Sequence, residues 1–236
     1  RANDPLDETP SACDRRRMVE RIGLKGADGA EITALKAAPG SAPIGGVVVI
    51  QEIFGLTDHI ADMCRAFADA GYAAIAPGLF DRIEPDFHAT HDPEGAKKGL
   101  AAVAASPWPQ VLGDIQAAID ALPQPVYVTG FCYGGAAAWM AAAQCARLKA
   151  AACFYGRLIA TLLDAAPKVP VMLHYGAHDA SIPPENYEKV RLAAPDAPLY
   201  LYDAGHGFCR AGSNDYDAAS SQLAVARTLD WFARWR

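Results

Sequence analysis

No two cysteines in this chain are spaced C-x-x-C, although six are present: Cys13, Cys64, Cys132, Cys145, Cys153 and Cys209. That leaves little support for a zinc site or a thioredoxin-like centre. A chain of 236 residues has core enough to stand without disulfides, so buried free thiols in a reducing compartment are expected for Cys64, Cys145 and Cys153. No apolar run approaches the roughly 20 residues needed to cross a membrane. No signal-peptide apolar region is visible, and a cytoplasmic location is expected. Excess positive charge is missing too. The net charge is −6, which argues against nucleic acid as a partner. Neither G-x-G-x-x-G nor a G-K-[ST] phosphate turn occurs, and no metal or organic cofactor is called for.

Short apolar runs separated by helical patterns are plentiful. Residues 1–17 are polar, with Pro5, Pro10 and Arg15-Arg16-Arg17, and read as an N-terminal arm ahead of a single domain over 18–236. Residues 18–37 alternate around Ala27-Asp28-Gly29 and predict a hairpin. Buried strands are predicted at "GGVVVIQE", "YAAIAPGL", "PVYVTG", "AACFYG", "VPVMLHYG" and "APLYLYDAG". Helices are predicted between them. One carries Ile60, Met63, Cys64 and Phe67 on a single face, and a closing helix over 215–235 has Leu223, Thr228 and Trp231 as inner-face candidates. The alternation implies an α/β fold with a mostly parallel central sheet and helices on both faces.

Such sheets bind ligands beyond the carboxyl ends of their strands. Four chemically useful residues fall there: Glu52, Cys132, Asp179 and His206. Cys132 lies in "GFCYGG", the shape of a strand-to-helix nucleophile elbow with cysteine in place of serine. Taken alone, the motif also fits a buried structural cysteine in a tight corner. His206 in "DAGHGF" lies between glycines, which provide access rather than packing, and is the candidate base. Asp179 in "GAHDASIP" is the candidate partner of the imidazole, in competition with a turn or helix-cap aspartate and with the neighbouring His178. The order nucleophile, acid, histidine is that of α/β-hydrolases. An oxyanion hole would then use the backbone N–H of Tyr133 and, from the loop after "VVVIQE", that of Ile53.

Four separated stretches, "VVVIQEIFGL", "GFCYGG", "HYGAHDASIP" and "AGHGFCR", together with "GYAAIAPGLF", resemble the dienelactone hydrolase family of cysteine-using α/β-hydrolases. The resemblance covers about residue 45 to the end. It implies Cys132 as nucleophile, His206 as base and Asp179 as its partner. It also implies that Glu52 contacts the resting thiol and swings away when substrate binds, and that Arg82 and Arg210 hold a substrate carboxylate. Read without the resemblance, Glu52 is equally a salt-bridged strand-end residue and each arginine an ordinary surface cation. The chain departs from the family pattern at Gly207, where serine is expected, at Tyr133, where a smaller aliphatic residue is expected, and over 81–87, which lacks the expected tyrosine and tryptophan.

The expected activity is hydrolysis of small, anionic lactones or activated esters, by a monomer or dimer without nucleic-acid or membrane partners. A broad esterase or thioesterase, and a non-catalytic binding protein on the same fold, are the alternatives.

Overall fold

The computed structural model describes residues 19–26 and 28–236. The expected arm over 1–17, with Cys13, lies outside the described residues. The hairpin forms from β1 (Glu20–Lys25) and β2 (Glu31–Ala37), paired antiparallel. The remaining strands are β3 (Gly46–Ile50), β4 (Ala73–Pro77), β5 (Val126–Phe131), β6 (Leu148–Phe154), β7 (Val171–Gly176) and β8 (Leu199–Tyr202). Together they make one eight-stranded sheet in the order β1-β2-β4-β3-β5-β6-β7-β8. From β4 to β8 every neighbouring pair is parallel, and β2 joins β4 antiparallel.

Every residue of β3, β4, β5 and β7 is buried. Their continuous apolar runs are therefore those of strands covered on both faces. The cover comes from α1 (Asp58–Asp69), α2 (Pro93–Ala105), α3 (Trp108–Asp120), α4 (Tyr133–Gln144), α5 (Pro184–Ala193) and α6 (Ala218–Arg234). A short 3-10 turn, Arg157–Thr161, follows β6. The chain leaves β3 toward β4 in one direction across the sheet, and leaves β5 toward β6 in the other. With right-handed crossovers, α1 and α4 must then lie on opposite faces. Phe67 of α1 meets Phe232 of α6, ring centroids 6.2 Å apart, while α4 packs against α3.

The expected face of α1 is partly right: Ile60, Cys64 and Phe67 are buried, whereas Met63 sits at its margin. In α6, Thr228 and Trp231 face the core, but Leu223 is 47% exposed. Ser221 and Ala224 take the inner positions instead. Leu223 is one residue short of Ala224, and one residue is about 100° of helix rotation. Small side chains there leave α6 close enough to the sheet for Trp231 Nε1 to donate to the Ala151 carbonyl of β6 at 3.2 Å.

The sheet order reverses between β3 and β5, which pair directly with Ile50 opposite Gly130. This is the point where open α/β sheets form a ligand crevice. The segments leaving those two strands carry Glu52, Ile53 and Cys132.

Candidate active site

Cys132 links β5 to α4 with φ 54° and ψ −113°. A side chain other than hydrogen rarely adopts that backbone, and it costs about 1–3 kcal/mol wherever the surroundings enforce it. Here the surroundings are close-approaching glycines. A Cβ on Gly130 would stand 2.0 Å from the Gly134 carbonyl oxygen, and one on Gly134 would stand 2.4 Å from that of Ile50. A Cβ on Gly135 would lie 2.4 Å from the Phe154 oxygen, so α4 can press against β6 only without it. The alanines that follow serve the same end, and the helix is buried almost all round. The corner leaves Cys132 half-buried at the N-terminus of α4, where unpaired N–H groups and the helix dipole favour negative charge.

Asp179 follows β7 and His206 follows β8. Asp179 Oδ2 lies 2.6 Å from His206 Nδ1. Asp179 Oδ1 accepts from the Ser181 backbone N–H at 2.9 Å and from its hydroxyl at 2.6 Å. The carboxylate is fully buried and the imidazole 28% exposed. Burial alone would raise the Asp179 pKa, but the bonds from His206 and Ser181 outweigh it and hold it below the ordinary carboxylate value. Burial likewise works to lower the His206 pKa. Hydrogen bonds to Asp179 and to the Cys132 thiol prevail and lift it to about 10. His178, the competing histidine, pairs with Asp203 at 2.5 Å and is largely exposed.

Cys132, Asp179 and His206 line one cavity of about 420 Å³ together with Ile53 and Tyr133. Tyr133 is the first residue of α4, so its N–H has no intrahelical partner. Its ring stacks on Trp108, centroids 5.8 Å apart. Ile53 is pinned from behind by α2, where a Cβ on Gly99 would stand 2.3 Å from the Ile53 carbonyl oxygen.

Three expected site residues are engaged with partners inside the protein. Glu52 is fully buried at the exit of β3, yet its carboxylate belongs to Arg210, whose Nη1 lies 3.0 Å from both oxygens. The structure thus pairs it with a cation, as the plain strand-end reading expects. Arg210 also lies over the Phe54 ring, 5.3 Å from its centroid, and lines a neighbouring polar cavity. Its guanidinium is engaged by Glu52 before any substrate arrives.

Arg82 does not line the cavity. Its Nε and Nη2 donate to Asp114 at 3.1 and 2.7 Å, and its Nη1 and Nη2 to Asp28 at 2.6 and 2.9 Å. Asp114 is buried on α3 and Asp28 sits in the hairpin turn. Arg82 therefore ties the hairpin to the body of the sheet. Gly26 makes room for this cluster, since a Cβ there would meet Arg82 Nη2 at 2.6 Å. Gly207, the departure beside His206, has φ +71°, a backbone that serine adopts only with strain.

Several site residues escape a reading of the sequence. Ser181 is one, although its place two residues after an aspartate is that of an Asx turn. Tyr155 is another. It follows β6, is fully buried, has φ 37° and sets its ring edge-on to His206 at 5.1 Å. Leu100 and Val103 of α2, and Arg157 and Leu158 of the 3-10 turn, complete much of the cavity wall. These come from segments that carry no catalytic motif.

The model of the dienelactone hydrolase family matches residues 32–235. A Salmonella typhimurium protein provisionally assigned as a carboxymethylenebutenolidase is 37% identical over 221 residues, covering 85% of this chain and 80% of that protein. The carboxymethylenebutenolidase of Pseudomonas putida is 31% identical over 231 residues, covering 92% and 97%. A crystal structure from Klebsiella pneumoniae, provisionally assigned as a dienelactone hydrolase, superposes with a TM-score of 0.81 at 32% identity, covering 92% of this chain and 99% of that one. Among the described residues no helix is long and apolar enough to cross a membrane. A strand-exit thiol, imidazole and carboxylate on a sheet of this order thus coincide with similarity along nearly the whole length, and the chain belongs to the dienelactone hydrolase family of α/β-fold hydrolases.

Proposed function

We propose that the protein hydrolyses small lactones or activated esters through an acyl-enzyme on Cys132, an activity of the carboxymethylenebutenolidase type. The observation that carries this reading is the 2.6 Å contact between His206 Nδ1 and the buried Asp179, beside a cavity that Cys132 also lines.

With its pKa near 10, His206 is an imidazolium at neutral pH. The nucleophilic form of Cys132 is its thiolate, paired with the His206 imidazolium. The sulfur attacks the ester carbonyl, and the N–H groups of Ile53 and Tyr133 receive the oxyanion. Collapse breaks the C–O bond, and the proton on His206 goes to the departing oxygen. Once the sulfur is acylated it no longer holds the imidazolium. Burial then opposes only Asp179, and His206 becomes a better base. It takes a proton from water, which attacks the thioester and releases the acid and the thiolate. Asp179 and Ser181 hold the ring through both steps.

The identity of the ester is set by the cavity wall. Arg82 is consumed by Asp28 and Asp114, and Arg210 reaches a substrate only by giving up Glu52. A substrate carboxylate would therefore have to displace Glu52 from Arg210 or meet another cation of the cavity wall. The buried free thiols of Cys64, Cys153 and Cys209 fit a cytoplasmic protein.

The test is trapping. Wild type mixed with an activated ester should gain the mass of the acyl group on the peptide containing Cys132, and Cys132→Ala should lose turnover while keeping its circular dichroism. Full esterase activity in that folded variant would refute the assignment.

A further inference from the structure

We propose that Arg157 is the specificity-determining cation of this site, selecting esters that carry a carboxylate on an otherwise apolar body. The proposal rests on the hydrolytic reading above.

Arg157 opens the 3-10 turn after β6 and lines the same cavity as Cys132 and His206. It is exposed, and among the described residues its guanidinium has no carboxylate partner within ion-pair distance. Arg82 and Arg210, by contrast, are each already on a carboxylate. A substrate anion meets Arg157 without displacing anything.

Its position is fixed by packing. A Cβ on the preceding Gly156 would stand 2.7 Å from Ile159 Cδ1 and 3.0 Å from the Ala136 nitrogen of α4. The turn therefore sits against the helix that begins at the nucleophile. Ile53, Leu100, Val103, Leu158 and Tyr133 supply the apolar lining of the cavity. Asp215 lines it as well, and it also lines the polar cavity that contains Arg210. Arg157 is the one Arg or Lys among the described residues that line the reacting cavity. The substrate anion is drawn to Arg157. A guanidinium suits a carboxylate because two N–H groups can meet its two oxygens.

The experiment uses the full chain and two matched ester pairs. In one pair the carboxylate is on the leaving group: para-acetoxybenzoate against its methyl ester. In the other it is on the acyl group: mono-para-nitrophenyl adipate against para-nitrophenyl hexanoate. The readout is the ratio of kcat/KM within each pair. Wild type should prefer the anionic member of at least one pair. Arg157→Ala should lower that preference roughly tenfold or more, Arg157→Lys should keep part of it, and Arg82→Ala should leave it as in wild type. A preference unchanged in Arg157→Ala, absent in wild type, or lost in Arg82→Ala instead would overturn the assignment of Arg157 and leave the hydrolase standing. Turnover of all four esters by Cys132→Ala would overturn the hydrolytic reading, and the role of Arg157 with it.

Discussion

Both carboxylate oxygens of Glu52 lie 3.0 Å from a single nitrogen of Arg210, 158 residues away in the chain. The carboxylate has no solvent exposure and the guanidinium side chain only 16%. A charge so placed is tolerable only while its partner is present. Arg210→Ala should therefore destabilise the fold by about 3–5 kcal/mol. The double variant Arg210→Met, Glu52→Gln, which removes both charges and keeps the volume, should recover much of that loss. Urea denaturation of the two variants provides the comparison. Equal stabilities would mean that Glu52 is not held by Arg210.

The backbone at Cys132 gives a second prediction, in which stability and activity move in opposite directions. Its φ of 54° with ψ of −113° is costly for any residue with a Cβ. Cys132→Ala removes the sulfur but keeps the strain. Cys132→Gly removes both, although glycine gives back part of the gain through its freer unfolded chain. Neither variant should turn over ester, and the glycine variant should be more stable than the alanine variant by about 1 kcal/mol. Thermal denaturation of the pair decides it. A glycine variant less stable than the alanine variant would show that the corner is not strained.

How much of this was legible in the residues depends on whether a signal was local. The strands β3, β5 and β7 declared themselves as continuous apolar runs because both of their faces are covered. The positions of Cys132, Asp179 and His206 at strand exits followed from those runs. Pairings did not. Arg82 has the same residue type and loop setting as a substrate-binding arginine, yet its partners Asp28 and Asp114 lie 54 and 32 residues away. Nothing local distinguishes an engaged guanidinium such as that of Arg82 from one without a carboxylate partner such as that of Arg157. Leu223 misled for a different reason. Close packing of α6 on the sheet favoured Ser221 and Ala224 at the inner positions, and volume outweighed hydropathy.

Gly99 offers a third prediction, reaching the chemistry from a helix with no catalytic residue. Its α-carbon lies so near Ile53 that an added Cβ would stand 2.3 Å from the Ile53 carbonyl oxygen. That oxygen is backbone, so Gly99→Ala must shift either α2 or the loop whose N–H we propose receives the oxyanion. Misplacing one such donor costs rate rather than ground-state binding, because the charge develops in the transition state. Gly99→Ala should lower kcat by roughly tenfold or more with a smaller change in KM. Wild-type kcat in a folded Gly99→Ala protein would remove Ile53 from the oxyanion hole.

The strongest prediction concerns the proton on His206. Its pKa stands near 10 against an ordinary 6.5, although burial pulls it down, because Asp179 and the Cys132 thiol both favour the charged ring. A pKa raised in the folded state stabilises the fold while the ring is protonated. The whole contribution is present below about 6.5 and is lost as pH rises through about 10. Cys132→Ala removes the thiol's share and leaves Asp179 alone against burial. The His206 midpoint, followed by NMR of the ring Cε1–H, should then fall below its wild-type value. The alkaline loss of stability should begin at lower pH in the same variant. In the proposed cycle acylation would make the same change, capping the sulfur so that the ring shifts from holding a proton to taking one from water. Identical midpoints in wild type and Cys132→Ala would mean that the thiol does not hold the imidazolium, and the two halves of the catalytic cycle would need a different link.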